Sequence, residues 1–194
     1  MEHTIQDESS GDTLEAQIRE CFGRVVYSTK THEKCADFCV AHLKRIKIAQ
    51  ITLSAATTGG LFTALLGDSG FTYLATIVSA TLSTILLVLN AYMKDIDPGQ
   101  QAEKHKKTAS ELWNVRESYL SILSDLQDNH IDSHCARQKR DELQSKLVVI
   151  YAAAPRTTPK AYRVATEGLK NAEELTFSEE EIDKFLPASL HRTL

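Results

Sequence analysis

The chain has 194 residues, with 22 lysines and arginines against 26 aspartates and glutamates, for a net charge of −4 with histidine neutral. This length has room for one domain with tails, and so mild a charge asks for no nucleic-acid partner. Eight glycines, four prolines and no sustained strand-like alternation make helix the default throughout, so the expected class is all-α.

Residues 1–12 read as a disordered acidic tail. Met1 to Gly11 lacks the basic start and apolar core of a signal peptide. A helix then begins, with Asp12 or Thr13 as its cap. Leu14, Ile18, Cys21, Val25, Ser28, His32, Cys35, Cys39, His42 and Ile46 follow one another by alternating steps of four and three, a coiled-coil-like seam. No proline or turn cluster interrupts it before Gly59-Gly60, which predicts a single helix from about Thr13 to Leu66.

Between Ile48 and Met93 the only charged side chain is Asp68, in the turn Gly67-Asp68-Ser69-Gly70. The flanking segments, 48–66 and 71–93, each have the length needed to cross a ~30 Å hydrocarbon core. A buried hairpin in a soluble bundle is the alternative. Against it stand the absence of a charged outer face, the length of both segments and the abrupt return of charge at their ends. In its favour, the first segment is rich in small polar residues (Thr52, Ser54, Thr57, Thr58, Gly59, Gly60), so its insertion energy is modest. If the segments span a bilayer, the basic residues set their topology. Lys44, Arg45 and Lys47 precede the hairpin, Lys94, Lys104, Lys106 and Lys107 follow it, and the turn has none. The positive-inside rule then places both termini in the cytoplasm and the turn outside. The four cysteines, Cys21, Cys35, Cys39 and Cys135, lie outside the apolar block and are expected as reduced thiols in that compartment.

Lipid gives apolar side chains no reason to pair, so membrane helices associate through small residues and hydrogen bonds. Ala56, Gly60 and Ala64 form a small-residue row on the first segment. On the second, Thr72, Thr76, Ser79, Ser83 and Asn90 share one helical face. That stripe suits either interhelical packing, with hydroxyls bonded back to the preceding turn, or the weakly polar lining of a pore assembled from several hairpins.

Downstream, Asp97-Pro98-Gly99 marks a break, with Asp97 capping and Pro98 in the first turn of a third helix. Its expected inner stripe is His105, Ala109, Leu112, Arg116, Tyr119, Leu123 and Leu126. Asp128-Asn129-His130 turns the chain into a fourth helix, about Asp132 to Ala153, with Leu143, Leu147 and Ile150 inward. Ala154 to Pro159 is a linker, and Pro159 opens a fifth helix through Tyr162, Ala165 and Leu169. Ser178 and Glu181 make a capping box with Phe177 and Ile182 as its staple. The predicted organisation is therefore a two-transmembrane helical hairpin continuous with a cytoplasmic helical bundle. It comprises a cytoplasmic helix (13–47), two spans (48–66 and 71–93), further cytoplasmic helices (98–175) and a C-terminal docking tail (176–194).

Chemistry is hard to find. His32, Cys35, Cys39 and His42 share a face, but ten residues of helix extend about 15 Å, too far for one ion to touch all four. A pair would need ligands from another helix or chain. No GxSxG, HExxH, Walker A or dinucleotide fingerprint is present. No catalytic residue, metal or cofactor is expected, and the chain does not read as an enzyme.

Several stretches together carry a family resemblance: Leu14-Glu15-Ala16-Gln17-Ile18-Arg19 into Arg24 and Tyr27, the hairpin Ile48–Met93, and the helix Ala109–Leu126. Two later segments, Ala154 to Tyr162 and Thr176 to Pro187, also contribute. As a whole the chain resembles the SLATT domain, the two-transmembrane effector domain associated with SMODS-type nucleotidyltransferases and SLOG nucleotide sensors. The resemblance implies a membrane effector of a prokaryotic anti-phage or conflict system, in the inner membrane. Such an effector would oligomerise and form a pore or disrupt the membrane when a partner or nucleotide signal triggers it. A constitutive membrane scaffold tethering a cytosolic partner is the alternative.

Overall fold

The computed structural model describes residues 2–67 and 69–192, with side chains over 13–67 and 71–192. It contains α1 (Glu2–Leu66), α2 (Ser69–Ile96), α3 (Pro98–Gln127), α4 (Ser133–Ala153), α5 (Pro159–Lys170), α6 (Glu179–Asp183) and a short 3₁₀ turn, Ala188–Leu190. Among the described residues there is no strand, and the protein is all-α. The expected tail boundary at 12/13 falls at the edge of the described side chains, and Asp68 of the turn lies outside the described residues. Contacts divide the chain into two units, Met1–Lys34 with Thr108–Leu194, and Cys35–Lys107.

In the first unit, Leu14, Ile18 and Val25 of α1 pack with Leu112, Val115, Tyr119 and Ile122 of α3 and with Ala136 and Leu143 of α4. Leu147 and Ile150 close over this core from its edge, and α5 buries Ala161 and Ala165 completely. The α3 stripe differs from expectation chiefly at Arg116, which is only half-buried, while Val115 and Ile122 beside the stripe are buried. Leu123 and Leu126 are partly buried and pack against the core. The sequence 112, 115, 119, 122 keeps to one face by steps of three and four, and Arg116 stays at the rim. There it bonds Glu117 (2.6 Å) and lies 5.8 Å from the Trp113 ring centre. On α1, Thr29 and Thr31 are buried, and their hydroxyls donate to Val25 O (2.8 Å) and Tyr27 O (2.7 Å), one turn earlier.

Tyr119 is fully buried, and among the described residues its hydroxyl makes no hydrogen bond of normal geometry, with only the weak Cys21 thiol near it. Burial, and secondarily the nearby Cys21 thiol, pushes its pKa up to about 12. Tyr119→Phe keeps the ring's packing and removes a polar group with only that weak thiol beside it. It is expected to leave thermal stability unchanged or raise it by up to ~1 kcal/mol. Because the folded pKa is raised, this group's contribution is present below the ordinary tyrosine value and lost as pH climbs through about 12. Thermal melts across the alkaline range should therefore fall less steeply for the phenylalanine variant.

The connections use local chemistry. After α3, His130 N donates to Asp125 O (2.8 Å) and Asn129 N to Leu126 O (3.1 Å), with Asn129 left-handed at φ 55°. This is a Schellman closure, for which asparagine is a tolerated substitute for glycine. Asp132 caps α4 through Cys135 N (2.7 Å), and Thr158 caps α5 through Ala161 N (3.2 Å), with Pro159 in the first turn. The Ser178/Glu181 capping box forms around α6. Phe177 and Ile182 are nevertheless both exposed, as are Phe185 and Leu190 further on.

A non-local clamp ties the segment after α5 to α1. Glu174 pairs with Lys30 (2.5 Å) and Lys34 (3.3 Å), and Lys30 also meets Glu33 (3.1 Å). Gly168 lets the carboxyl in, since a β-carbon there would lie 2.9 Å from Glu174 Cδ. Burial alone lowers the Lys30 pKa, but Glu174 and Glu33 more than reverse this and it is raised; Lys30 and Lys34 in turn lower that of Glu174. The lowered carboxyl contributes stability above the usual glutamate range, which is lost as pH falls through its depressed value.

The second unit contains the hairpin. Asp97 stands between α2 and α3 with φ 38°, its side chain accepting from Gln100 N (2.9 Å). The proline that follows keeps Asp97 out of the helical region and so fixes the break here. Cys35, Ala36, Ile46, Ala102 and His105 are buried in this unit. Burial lowers the His105 pKa, which favours the neutral imidazole. Burial, then the neighbouring Cys35, raises the Cys39 thiol; His42 is exposed.

Candidate functional site

The hairpin carries the features that the sequence singles out. A soluble hairpin would bury its apolar surface, but here almost none is covered. Ile51, Leu65, Leu66, Phe71, Leu74, Leu87 and Val88 are all exposed, and both helices are long and apolar enough to span. An exposed apolar surface of this extent needs lipid or another chain against it. Lys44, Arg45, Lys47 and Lys94 are exposed beyond its ends.

Within the hairpin the helices meet along a narrow seam. On α1 the partly covered positions are Gln50, Leu53, Thr57, Gly60 and Ala64, and on α2 they are Thr72, Ala75, Ser79, Leu82, Leu86, Leu89 and Met93. Both advance by alternating threes and fours, the spacing of a left-handed helix pair. Of the small-residue row, Gly60 and Ala64 lie on this seam and Ala56 is exposed. Gly60 sits directly against Ser79, where a β-carbon would run into the hydroxyl.

The polar stripe divides between two surfaces. Thr72 and Ser79 lie on the seam, and Ser79 is buried at 5 % exposure, its hydroxyl without a hydrogen-bond partner among the described residues. Thr76, Ser83 and Asn90 are exposed and recur every seven residues, on one side of α2. The threonines bond their own helices: Thr76 donates to Thr72 O (2.8 Å), Thr81 to Ile77 O (2.9 Å) and Thr58 to Ser54 O (3.0 Å). These hydroxyls can therefore face an apolar medium with their donors satisfied while keeping an acceptor for water.

Asn90 meets a partner absent from the sequence expectation. Gln50 Nε2 donates to Asn90 Oδ1 at 2.7 Å, joining the two helices near their charged ends. Around this pair is an open cavity of about 720 Å³, lined by Gln50, Ile51, Ser54, Ala55, Thr58, Leu86 and Asn90. Gln50, Ser54 and Thr58 thus form a polar row on α1 beside the one on α2. Their four-residue spacing was available in the sequence, hidden among the other small polar residues of that segment.

Gly60→Leu is expected to force the seam apart and destabilise the hairpin by ~1–3 kcal/mol. Gly60→Ala asks only that the Ser79 hydroxyl turn away, and adding Ser79→Ala should recover the parent's stability. Thermal denaturation in detergent, followed by circular dichroism, checks the series.

A family model described as SMODS and SLOG-associating 2TM effector domain family 4 matches residues 14–181. No curated protein and no solved structure matches the chain. The matched segment takes in the hairpin, its seam and α3 to α5, and ends within α6. By this match the chain belongs to the SMODS and SLOG-associating 2TM effector domain (SLATT) family, a family of two-transmembrane effector domains.

Proposed function

We propose that this protein is the membrane effector of a prokaryotic anti-phage or conflict system. In this reading it resides in the inner membrane with both termini cytoplasmic, associates through its hairpins and permeabilises the membrane when triggered. The observation that carries the reading is the polar flank of the hairpin. Gln50, Ser54 and Thr58 on α1 and Thr76, Ser83 and Asn90 on α2 form two polar rows, of which Gln50, Ser54, Thr58 and Asn90 line one cavity. Thr52, Thr63, Thr81 and Thr84, by contrast, are exposed outside that cavity and bond back to their own helices. Polar groups within a span turn toward other helices or water. Several hairpins with this flank inward would enclose a weakly polar passage, while the Gly60–Ser79 seam holds each hairpin together. The helices of the first unit receive the signal from a nucleotidyltransferase or nucleotide-sensor partner, and the exposed Phe177, Phe185 and Leu190 of residues 176–194 dock on such a partner.

Expression in bacteria while the membrane potential is followed with a voltage-sensitive dye tests this. A triggered effector depolarises the cells, and the Thr76→Leu/Ser83→Leu/Asn90→Leu variant, inserted to the same level, does not. A constitutive scaffold leaves the potential unchanged in both.

A further inference from the structure

The first unit contains a cavity that the membrane reading does not use. It measures about 620 Å³ and is lined by Glu20, Gly23, Arg24, Tyr27, Ser28, Thr31, Tyr151, Thr157 and Tyr162. This is the size of a site for a small molecule, and its lining combines three kinds of group. Tyr27 and Tyr162 pack with ring centres 6.2 Å apart, tilted by 33°, and Tyr162 and Tyr151 remain about half exposed. Both rings therefore keep uncovered surface that a planar ligand can meet. At the rim, Arg24 pairs with Glu20, one turn away, and with no other carboxylate among the described residues, in an ion pair that water reaches from both sides. A pair of this kind holds weakly, so the guanidinium can exchange its carboxylate for another anion. The hydroxyl-bearing Ser28, Thr31 and Thr157 also line the cavity; Thr31 donates to Tyr27 O and keeps its lone pairs as acceptors. Gly23 adds no side chain to the floor, and the space beyond it is open.

We infer that this cavity binds a nucleotide. The base stacks on the Tyr162 and Tyr151 faces, where stacking is strong and tolerant of base identity. The phosphate is received by Arg24 through charge-assisted hydrogen bonds. Glu20, released from Arg24, and the three hydroxyls accept from base amino groups or ribose hydroxyls. A purely apolar ligand would leave Arg24 and the hydroxyls unused, and a bare phosphate would leave the aromatic rings unused.

The test is isothermal titration of the full chain in detergent with AMP, GMP, adenosine and inorganic phosphate. Saturable binding of AMP or GMP is expected, with the nucleoside weaker and phosphate weakest. Arg24→Ala should weaken the nucleotides by roughly 10- to 100-fold while leaving adenosine unchanged. Tyr162→Ala should weaken nucleotide and nucleoside alike by about tenfold, and Tyr162→Phe should restore both. Arg24 and Tyr162 are exposed enough for these variants to fold, and unchanged helicity by circular dichroism verifies it. No saturable binding at millimolar nucleotide, or binding indifferent to both alanine variants, overturns the inference. The readout is binding alone, so its failure leaves the permeation reading standing, and failure of permeation leaves the site standing.

Discussion

An arginine in place of Leu61 is expected to drop the first span out of the bilayer. The two spans are unequal. The second is dense in leucine, isoleucine and valine, whereas the first carries Thr52, Ser54, Thr57, Thr58, Gly59, Gly60 and Thr63 among its apolar residues. An arginine at the centre of a span costs ~2.5–3.5 kcal/mol, or roughly 70- to 400-fold in the insertion equilibrium. The first span has little surplus to absorb this. Leu61 is about half exposed on the hairpin, so no packing is lost and the effect reports insertion alone. Val78→Arg, at a similarly exposed position of the second span, should be tolerated far better. Impermeant-maleimide labelling of a Ser69→Cys reporter in the turn, in a chain cleared of its four native cysteines, compared with a tag at the N terminus, reads the result. The two report opposite sides of the membrane in the parent and in Val78→Arg, and the same side in Leu61→Arg.

The second large effect belongs to the other unit. Ile18 and Leu112 are completely buried and belong to the same core. Ile18→Ala or Leu112→Ala is expected to cost ~2–5 kcal/mol, from lost burial and from the cavity left behind. Leu120, on the same helix as Leu112 and about half exposed, should change stability by less than about 0.5 kcal/mol when truncated. Chemical denaturation in detergent, followed by far-ultraviolet circular dichroism, separates the two classes. A variant at Ile18 as stable as one at Leu120 would mean that α1 does not pack into the core with α3 and α4.

The legible parts of this protein are those fixed by short-range chemistry or by what is missing from a stretch. The hairpin announces itself by forty residues and more without a lysine, arginine or glutamate, a pattern that needs no knowledge of neighbours. Asp97, Asp132, Thr158 with Pro159, and Ser178 with Glu181 mark the helix starts because a cap is a contact over three residues. The core face of α3 was legible only to within one residue. A stripe through Arg116 and Leu123 is as regular as the one through Val115 and Ile122, and only the packed partner distinguishes them.

The candidate site was less legible for a related reason. Thr72, Thr76, Ser79 and Ser83 fall within one broad helical face, yet a seam with a 3.5-residue repeat runs through it. The seam takes Thr72 and Ser79 inward and leaves Thr76 and Ser83 outside. Which of two adjacent polar positions meets Gly60 depends on the offset between the helices, and that offset is set by the turn and by close packing. The Gln50–Asn90 bond and the Glu174 clamp join residues far apart in the chain, and no local pattern specifies such a pair.

Conduction by associated hairpins through their polar flank is the property on which the proposed function depends most. Single-channel recording of the purified chain in planar lipid bilayers tests it most directly, with the parent compared against the Thr76→Leu/Ser83→Leu/Asn90→Leu variant. Discrete conductance steps are expected from the parent and none from the variant, with Ser79→Ala, which alters only the buried seam, retaining the parent's steps. A silent bilayer with the parent chain incorporated, or steps of equal size from parent and triple variant, would contradict it.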